Sequence, residues 1–351
     1  MFKKIAIIGA ALALIGGIVA FPKIMLYLDS RAVSDNATTV DFYIKKSISL
    51  KELATELVEK GVLENDKSFL KVGEYKGLNE KSIALGKYEI APGTQIRNLL
   101  NGFTLNAAGN GNAEVEVNVT FNNCRFMSDL ASKISEVLMV DSVELLAYLN
   151  NPNTHDKFGF SSEEFPAMFL PNTYKMYYDT DLEKFTARMA QEFKAFWTAD
   201  RIAKLKKVGL KSPSECSTLA SIIYSEQSKV AEEWPVIAGL YLNRLNQGIR
   251  LQSDPTFKFC WGKQLDGVQR LLFIHRDIDC PYNTYKYDGL PPGPICMPPT
   301  QVLNAVLNRD NNNYIFMMAK PDFSGRHDFS VDYSRHQQLA SIYQKWLATL
   351  N

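Results

Sequence analysis

The C-terminal half of this 351-residue chain is organised around one segment, Leu219-Ala220-Ser221-Ile222-Ile223-Tyr224-Ser225-Glu226. The apolar residues Leu219, Ile222 and Ile223 have the i, i+3, i+4 spacing of a helix face that packs against a core. The next position on that face, i+7, is Glu226. We therefore expect its carboxyl to point toward the protein interior, where burial disfavours the charged form and raises the pKa.

A carboxylic acid that keeps its proton near neutral pH can serve as a general acid in glycosidic bond cleavage. The same pattern is compatible with a structural ion pair, for instance between Glu226 and Arg244 on the following helix. We predict that the first helix runs from about Ser214 to Glu232, which places Glu232 and Glu233 near a solvated boundary. Glu226 is therefore the candidate catalytic acid.

The next motif follows a second predicted helix, which begins near Trp234 and ends near Gly248. It reads Leu251-Gln252-Ser253-Asp254-Pro255-Thr256. The Asp-Pro pair favours extended or turn geometry, so Asp254 should be displayed from a loop. Asp254 is a candidate second carboxylate or substrate hydrogen-bond acceptor, and capping of the next helix is an equally good interpretation.

Aromatic, proline and glycine residues cluster further on, in Pro281-Tyr282-Asn283-Thr284-Tyr285 and in Gly289 to Ile295. Aromatic rings beside Asn and Thr suit sugars, whose C–H faces stack while their hydroxyls form hydrogen bonds. A structural loop or a polyproline-type docking site is the alternative. His327, at the turn into a predicted strand, is a candidate for proton transfer or substrate binding, although such a histidine is often structural.

The N-terminal half predicts a small strand-helix-helix-strand module. Its strands are Asp41 to Ile44 and Gly86 to Ile90, and Ser49 with Glu52 form a capping box at the start of the first helix. The second helix covers about Lys67 to Tyr75. A weak internal repeat suggests a second copy: the apolar pattern of the first module recurs at one fixed offset, as Leu130-Ala131, Ile134 and Leu146. Coincidence between two amphipathic helices remains the alternative.

Composition indicates a globular protein, with 46% hydrophobic residues, 22% charged residues and a net charge of +1. This balance argues against a nucleic-acid-binding protein, which should be strongly basic. At the N-terminus Lys3 and Lys4 precede an uncharged run, Ile5 to Phe21, that is just long enough to span a bilayer. We expect an uncleaved anchor with its N-terminus in the cytoplasm, and a cleaved signal peptide is the alternative.

The five cysteines do not have the spacing of a metal site, and neither do the four histidines. We therefore predict no metal and no cofactor. In an oxidising compartment one disulfide can form among Cys260, Cys280 and Cys296, and the sequence leaves the pairing open.

Four stretches of this chain together resemble the YceG-like endolytic murein transglycosylases, and the resemblance extends over essentially the whole length. They are, in order, Leu219 to Glu226; Asn243-Arg244-Leu245 with Leu251 to Thr256; Tyr282 to Tyr285 with Gly289 to Ile295; and His327 with Phe329 and His336. The family's essential glutamate falls on Glu226. Two positions depart from the family pattern, since Tyr224 stands where a second glutamate is common and Asn172 where aspartate is usual.

The resemblance implies an α+β fold with an N-terminal transmembrane helix, small LysM-like βααβ modules and a mixed α/β catalytic domain. The corresponding parts are an anchor and tether (residues 1–34), a LysM-like domain (35–110), a second LysM-like or linking module (111–164) and the catalytic domain (165–351). The family resemblance also implies a single pass through the cytoplasmic (inner) membrane, with the catalytic domain on the periplasmic side.

The activity implied by the resemblance is endolytic cleavage of the bond between N-acetylmuramic acid and N-acetylglucosamine in nascent peptidoglycan, with 1,6-anhydro ends as product. Glu226 would act as acid and then as base. The candidate substrate-binding residues are Gln252, Asp254, Asn283, Thr284, Tyr285 and His327. Penicillin-binding synthases are the expected protein partners, and no nucleic acid is expected.

Three other functions compete with this interpretation. One is a non-catalytic peptidoglycan-binding scaffold for cell-wall synthases, and another is a hydrolase with two carboxylates, which would give reducing ends. The third, a pyridoxal-phosphate lyase, needs a buried lysine that the four stretches lack.

Overall fold

The computed structural model describes residues 38–268 and 272–350, which divide into two compact units. The first unit contains residues 38–118, 137–139 and 175–180, and the second contains residues 119–136, 140–174 and the described residues from 181 onward. Within the described residues no helix has both the length and the apolar character needed to cross a bilayer. The expected anchor, residues 1–34, lies outside the described residues.

The first unit is built around the predicted strand-helix-helix-strand order. Strand β1 (Val40–Ile44) pairs with β2 (Gly86–Ile90) in antiparallel register, with Val40 opposite Ile90. Between the strands lie helices α1 (Leu50–Glu59) and α2 (Lys67–Tyr75), and α3 (Ile96–Phe103) follows β2. The predicted capping box is present at α1: Glu52 N–H donates to Ser49 Oγ at 3.2 Å, and Ser49 N–H donates to Glu52 Oε2 at 2.9 Å.

The next elements are β3 (Glu116–Phe121), α4 (Met127–Ser135), α5 (Ser142–Leu149), α6 (Pro152–Phe158), β4 (Asn172–Tyr177), α7 (Leu182–Phe196) and α8 (Ala199–Lys207). Strand β3 pairs with β4. The strand-helix-helix order of β3, α4 and α5 is the order expected for a second copy of the module. The four-part division and the LysM-like character stay predictions, and residues 111–164 are shared between the two units.

The core of the second unit is formed by three helices, α9 (Pro213–Glu226), α10 (Trp234–Asn246) and α13 (Thr300–Leu307). Around them lie α11 (Asp254–Cys260), α12 (Phe273–Arg276), the antiparallel hairpin β5 (Phe316–Ala319) with β6 (His327–Ser330), and α14 (Tyr333–Ala348). The expectation of a mixed α/β architecture is confirmed.

Helix α9 ends at Glu226, six residues earlier than the sequence predicted. The residue after it, Gln227, leaves the helical conformation with φ −136° and ψ 89°. Its buried side chain stabilises the turn that follows, because Gln227 Oε1 accepts hydrogen bonds from Lys229 N–H and Val230 N–H, both at 3.1 Å. Because α9 ends here, Glu226 is its last residue and follows helical turns that are buried in the core.

Candidate active site

The Glu226 carboxyl is held by two hydroxyl donors from other elements of the second unit. Ser253 Oγ donates to Glu226 Oε1 at 2.5 Å, and Tyr241 OH donates to the same oxygen at 3.3 Å. Tyr241 lies on α10, and Ser253 occupies the N-cap position of α11 without a side-chain capping hydrogen bond. Both donors are neutral hydroxyls, so they orient the carboxyl but bring no positive charge to it.

Burial is the largest influence on the Glu226 carboxyl and raises its pKa above the usual range. The nearby charge of Asp254 raises it further, while the hydrogen bonds from Ser253 and Tyr241 and the charge of His327 act in the opposite direction without outweighing burial. The group is thus biased toward the protonated form, as expected from the position of Glu226 on the apolar face of α9.

The alternative of a Glu226–Arg244 ion pair is wrong, because the guanidinium of Arg244 is used elsewhere. Its Nε donates to Ile315 O at 2.6 Å, and its Nη1 donates to Leu251 O at 3.0 Å and to Gln252 Oε1 at 3.3 Å. Arg244 therefore ties α10 to the segment that precedes α11 and leaves Glu226 without its charge.

The turn from Gln252 to Asp254 presents three consecutive side chains to different surroundings. Gln252 has φ 54°, in the left-handed region that residues other than glycine rarely adopt. Ser253 is fully buried against Glu226, and Asp254 Oδ1 accepts a hydrogen bond from Tyr285 OH at 2.6 Å. Asp254 is the first residue of α11 rather than its cap, a position filled by Ser253.

Asn283 and Thr284 lie behind this turn, with side chains 0% and 2% exposed. Asn283 Nδ2 donates to Arg276 O at 2.7 Å, and its Oδ1 accepts from Tyr285 N–H at 3.0 Å. Thr284 Oγ1 accepts from Ser253 N–H at 2.9 Å. Both side chains are occupied by internal hydrogen bonds that shape the site, so they are placed to support the wall that Tyr285 and Ser253 form.

A cavity of about 530 Å³ opens beside Glu226, and we call it the Glu226 cavity. Its lining comes from α9, α10, the turn before α11, the start of α11, the end of α12, the loop after α12, β5 and α14. The residues are Glu226, Leu240, Tyr241, Arg244, Leu251, Gln252, Asp254, Arg276, Tyr285, Phe316, Met317, Met318, Tyr333 and His336. Three of the predicted substrate-binding residues, Gln252, Asp254 and Tyr285, therefore lie together with Glu226.

His327 is not on that lining and instead contacts a second buried carboxyl. His327 Nδ1 lies 2.8 Å from Glu233 Oε2, and His327 N–H donates to Glu233 Oε1 at 2.8 Å. Burial alone would raise the pKa of Glu233, but these hydrogen bonds and one from Gln227 outweigh it and lower the pKa. The expectation of a solvated Glu233 is wrong, because the turn after α9 folds this side chain inward to 6% exposure.

Sequence reasoning did not assign roles to Ser253, Tyr241 or His336. Ser253 stands between the candidate substrate-binding residues Gln252 and Asp254 and is fully buried. His336 stacks on Phe316 with ring centroids 5.0 Å apart and lines the Glu226 cavity. Burial, the largest cause, and the charge of Arg244 both lower the pKa of His336. No cluster of three or more His, Cys, Asp or Glu side chains suited to a metal occurs in residues 38–268 and 272–350.

Comparison with known proteins gives concordant results. A protein named endolytic murein transglycosylase from Bacillus subtilis strain 168 is 26% identical over 345 residues, which are 94% of this chain and 91% of that protein. A protein of the same name from Streptococcus pneumoniae D39 is 28% identical over 156 residues, 43% of this chain and 27% of the relative.

The fold is similar to the crystal structure of a YceG-like protein from Listeria monocytogenes, with a TM-score of 0.56 and 21% identity. The superposition covers 87% of this chain and 99% of that one. The profile of the YceG-like family matches residues 42–341, a range that holds Glu226, its hydroxyl donors and the whole Glu226 cavity. The chain therefore belongs to the YceG-like family.

Proposed function

We propose that this chain is an endolytic lytic transglycosylase, which cleaves peptidoglycan glycan strands between N-acetylmuramic acid and N-acetylglucosamine. The observation that carries the proposal is a single carboxyl, Glu226, whose pKa is raised by burial and which is oriented by neutral hydroxyls at the edge of a cavity. The names of the relatives from B. subtilis and S. pneumoniae support the same activity.

The reaction requires one acid and one base, and a single carboxyl supplies both in turn. Protonated Glu226 gives its proton to the glycosidic oxygen as the bond from that oxygen to the anomeric carbon of the muramyl sugar breaks. The C6 hydroxyl of the same sugar then bonds to the anomeric carbon, and its proton passes to the Glu226 carboxylate. The atoms balance without water, and intramolecular attack has the advantage of a high effective molarity.

The remaining candidates divide by their surroundings. Gln252, Asp254 and Tyr285 line the Glu226 cavity and are placed to contact the glycan. Asn283 and Thr284 position Tyr285 and Ser253 through their hydrogen bonds. His327, held by Glu233, stabilises the turn that follows Glu226. Asp254, which lines the same cavity, is the carboxyl that a two-carboxylate hydrolase would use as its second group, so the ends of the products distinguish the two reactions.

The membrane location and the partners belong to the same proposal. A basic N-terminus before an uncharged run favours a single-pass anchor in the cytoplasmic membrane, with the enzyme outside the cytoplasm. The Cys260–Cys280 disulfide supports this side, because such bonds persist in oxidising compartments. In this arrangement residues 35–110 act as a LysM-like glycan-binding domain and penicillin-binding synthases are the protein partners.

Product analysis tests the proposal directly. Glycan strands are digested with the wild-type chain and with Glu226→Gln, and the ends are identified by mass spectrometry. We expect 1,6-anhydromuramyl ends from the wild type and none from the variant, which is nearly isosteric. Reducing ends would identify a hydrolase, and the absence of any cleavage by the folded wild type would favour the scaffold alternative.

A further inference from the structure

A second cavity of about 620 Å³ lies next to the Glu226 cavity and is not used by the chemistry described above. Its lining residues are Asn123, Cys124, Arg125, Tyr224, Ser225, Ser228, Pro255, Lys258, Leu265, Asp266, Ile295, Cys296 and Met297. We call it the Lys258 cavity. Its volume is within the range of ligand sites, about 300–1,000 Å³.

The two cavities share a wall. Tyr224 and Ser225 line the Lys258 cavity, whereas the next residue of α9, Glu226, lines the other. In the same way Pro255 lines the Lys258 cavity and its neighbour Asp254 lines the Glu226 cavity. Consecutive Cα atoms are about 3.8 Å apart, so at these two places the linings of the two cavities meet within one peptide unit.

The charge of the Lys258 cavity is positive. Arg125 and Lys258 contribute two cations, and the only carboxylate on the lining, Asp266, pairs with Arg125 at 2.9 Å. Arg125 Nη2 also donates to Lys258 O at 2.7 Å, which fixes the guanidinium against α11. Lys258 is a half-buried residue, and within residues 38–268 and 272–350 its ammonium has no carboxylate partner.

The thiols on the lining do not offset this charge. Burial raises the pKa of Cys124 to about 11 and that of Cys296 to about 11, so both stay neutral at physiological pH. Tyr224 is neutral as well, because burial raises the pKa of its phenol. Ile295, Met297 and Leu265 add apolar surface. The lining of the Lys258 cavity thus combines the ammonium of Lys258, which has no acidic partner among the described residues, with hydrogen-bonding groups and apolar side chains.

We infer that the Lys258 cavity binds the peptide stem of the muramyl residue at the cleavage site, with Lys258 contacting a stem carboxylate. This inference rests on the proposed function, because the peptide is joined to the lactyl group of the muramyl sugar whose glycosidic bond is cleaved at Glu226. A short peptide with free carboxylates and small apolar side chains matches the charge and lining of the cavity. The cavity makes the enzyme selective for strands that still carry their stems.

The test compares the full-length wild type with Lys258→Gln on two substrates. One is uncrosslinked glycan strands with intact stems, and the other is the same strands after an amidase has removed the stems, which exposes the lactyl carboxylate instead. We expect wild type to have a higher kcat/KM on intact strands. Lys258→Gln should raise KM on intact strands by about 5- to 10-fold, as for loss of one partly exposed charged hydrogen bond, with kcat nearly unchanged.

The controls separate charge from folding. Lys286→Gln removes an exposed lysine that lines neither cavity and should leave both substrates unaffected. Lys258→Arg keeps the charge and should retain most of the preference. Intact strands whose stem carboxylates are blocked as amides remove the charge from the substrate instead. The wild-type KM on these strands should match the KM of Lys258→Gln on unmodified intact strands.

The inference is overturned if the wild type cuts intact and stripped strands equally well, or if Lys258→Gln weakens both to the same extent. The latter result would assign Lys258 to the lactyl carboxylate or to the glycan itself. Should Lys258→Gln fail to fold, the wild-type preference and its decrease with added salt still decide the question. Failure of the proposed function is distinct, because the wild type would then produce no anhydro ends on either substrate.

Discussion

Two glutamates seven positions apart, Glu226 and Glu233, have opposite surroundings on either side of the turn that ends α9. Glu226 meets two neutral hydroxyls and opens on a cavity, and its pKa is raised. Glu233 is enclosed, meets the backbone and imidazole N–H groups of His327 and the amide of Gln227, and its pKa is lowered. Burial acts on both carboxyls, so the donors around each one decide whether it exchanges a proton or holds a charge.

The comparison is tested most strongly by the rate of cleavage. Glu226→Gln should lower kcat about 1,000-fold, within the range for loss of a general acid, because the amide has no proton to donate. Glu233→Gln, measured on the same strands at a temperature where it is folded, should retain most of the wild-type kcat. If both variants lost activity equally, the distinction between the two carboxyls would be untenable.

The stability of the two variants should show the reverse order. Glu233→Gln should lower the free energy of unfolding by about 3 kcal/mol at neutral pH, because it removes a buried charge that accepts hydrogen bonds from the partly buried His327 and the buried Gln227. Because the pKa of Glu233 is lowered in the folded state, the carboxylate stabilises the fold at pH values above the pKa of glutamate in the unfolded chain. This stabilisation is lost as the pH falls through the pKa of Glu233 in the folded protein. Urea unfolding at neutral and acidic pH measures the difference, and a pH-independent loss would contradict it.

A smaller effect is expected at the hydroxyl donors of Glu226. Ser253→Ala removes the hydrogen bond that lowers the pKa of Glu226, so the alkaline decline of kcat should move to higher pH. The kcat on the acidic side of the decline should change less than about tenfold, the value of one such hydrogen bond. Tyr241→Phe should move the decline in the same direction by less, since its donor lies farther from the carboxyl.

The smallest expected effect is on the free energy of unfolding, which burial of the Glu226 carboxylate should lower at alkaline pH. Its raised pKa means that its contribution to folding is complete below the unfolded pKa of glutamate and is lost as pH rises through the folded value. Glu226→Gln avoids this loss and should be more stable than wild type by about 1 kcal/mol at alkaline pH, with the gap closing on acidification. Thermal unfolding across this pH range is the measurement, and a variant less stable at every pH would contradict the argument.

The sequence alone predicted local structure correctly where a short, regular pattern of residues determines it. The apolar face of α9 predicted the inward carboxyl of Glu226, and the capping box at Ser49 and Glu52 marked the start of α1. It failed at the end of α9, because the signal there is the side chain of Gln227 bonding to its own turn, which periodicity does not contain. The sequence also misled us about Asn283, which we expected to contact the substrate. Its amide donates to Arg276 O, a backbone group that comes near only when the loop is folded.

The disulfide shows a similar limit. Three cysteines were candidates, and the structure pairs Cys260 with Cys280, leaving Cys296 as a thiol on the lining of the Lys258 cavity. The choice depends on where α11 ends relative to the loop that carries Tyr285. Such a long-range distance is set by tertiary packing and has no trace in cysteine spacing.

The backbone at Gln252 has a consequence for how this site can vary. A single residue in the left-handed region costs roughly 1–2 kcal/mol, and the turn is kept by the hydrogen bonds of Gln252 with Thr284 O and with Arg244. At this turn Ser253 Oγ donates to Glu226 Oε1, while the next side chain, Asp254, lines the Glu226 cavity. Glycine at position 252 should relax the backbone strain but hold the turn less firmly, and an inserted residue there would move Ser253 away from Glu226.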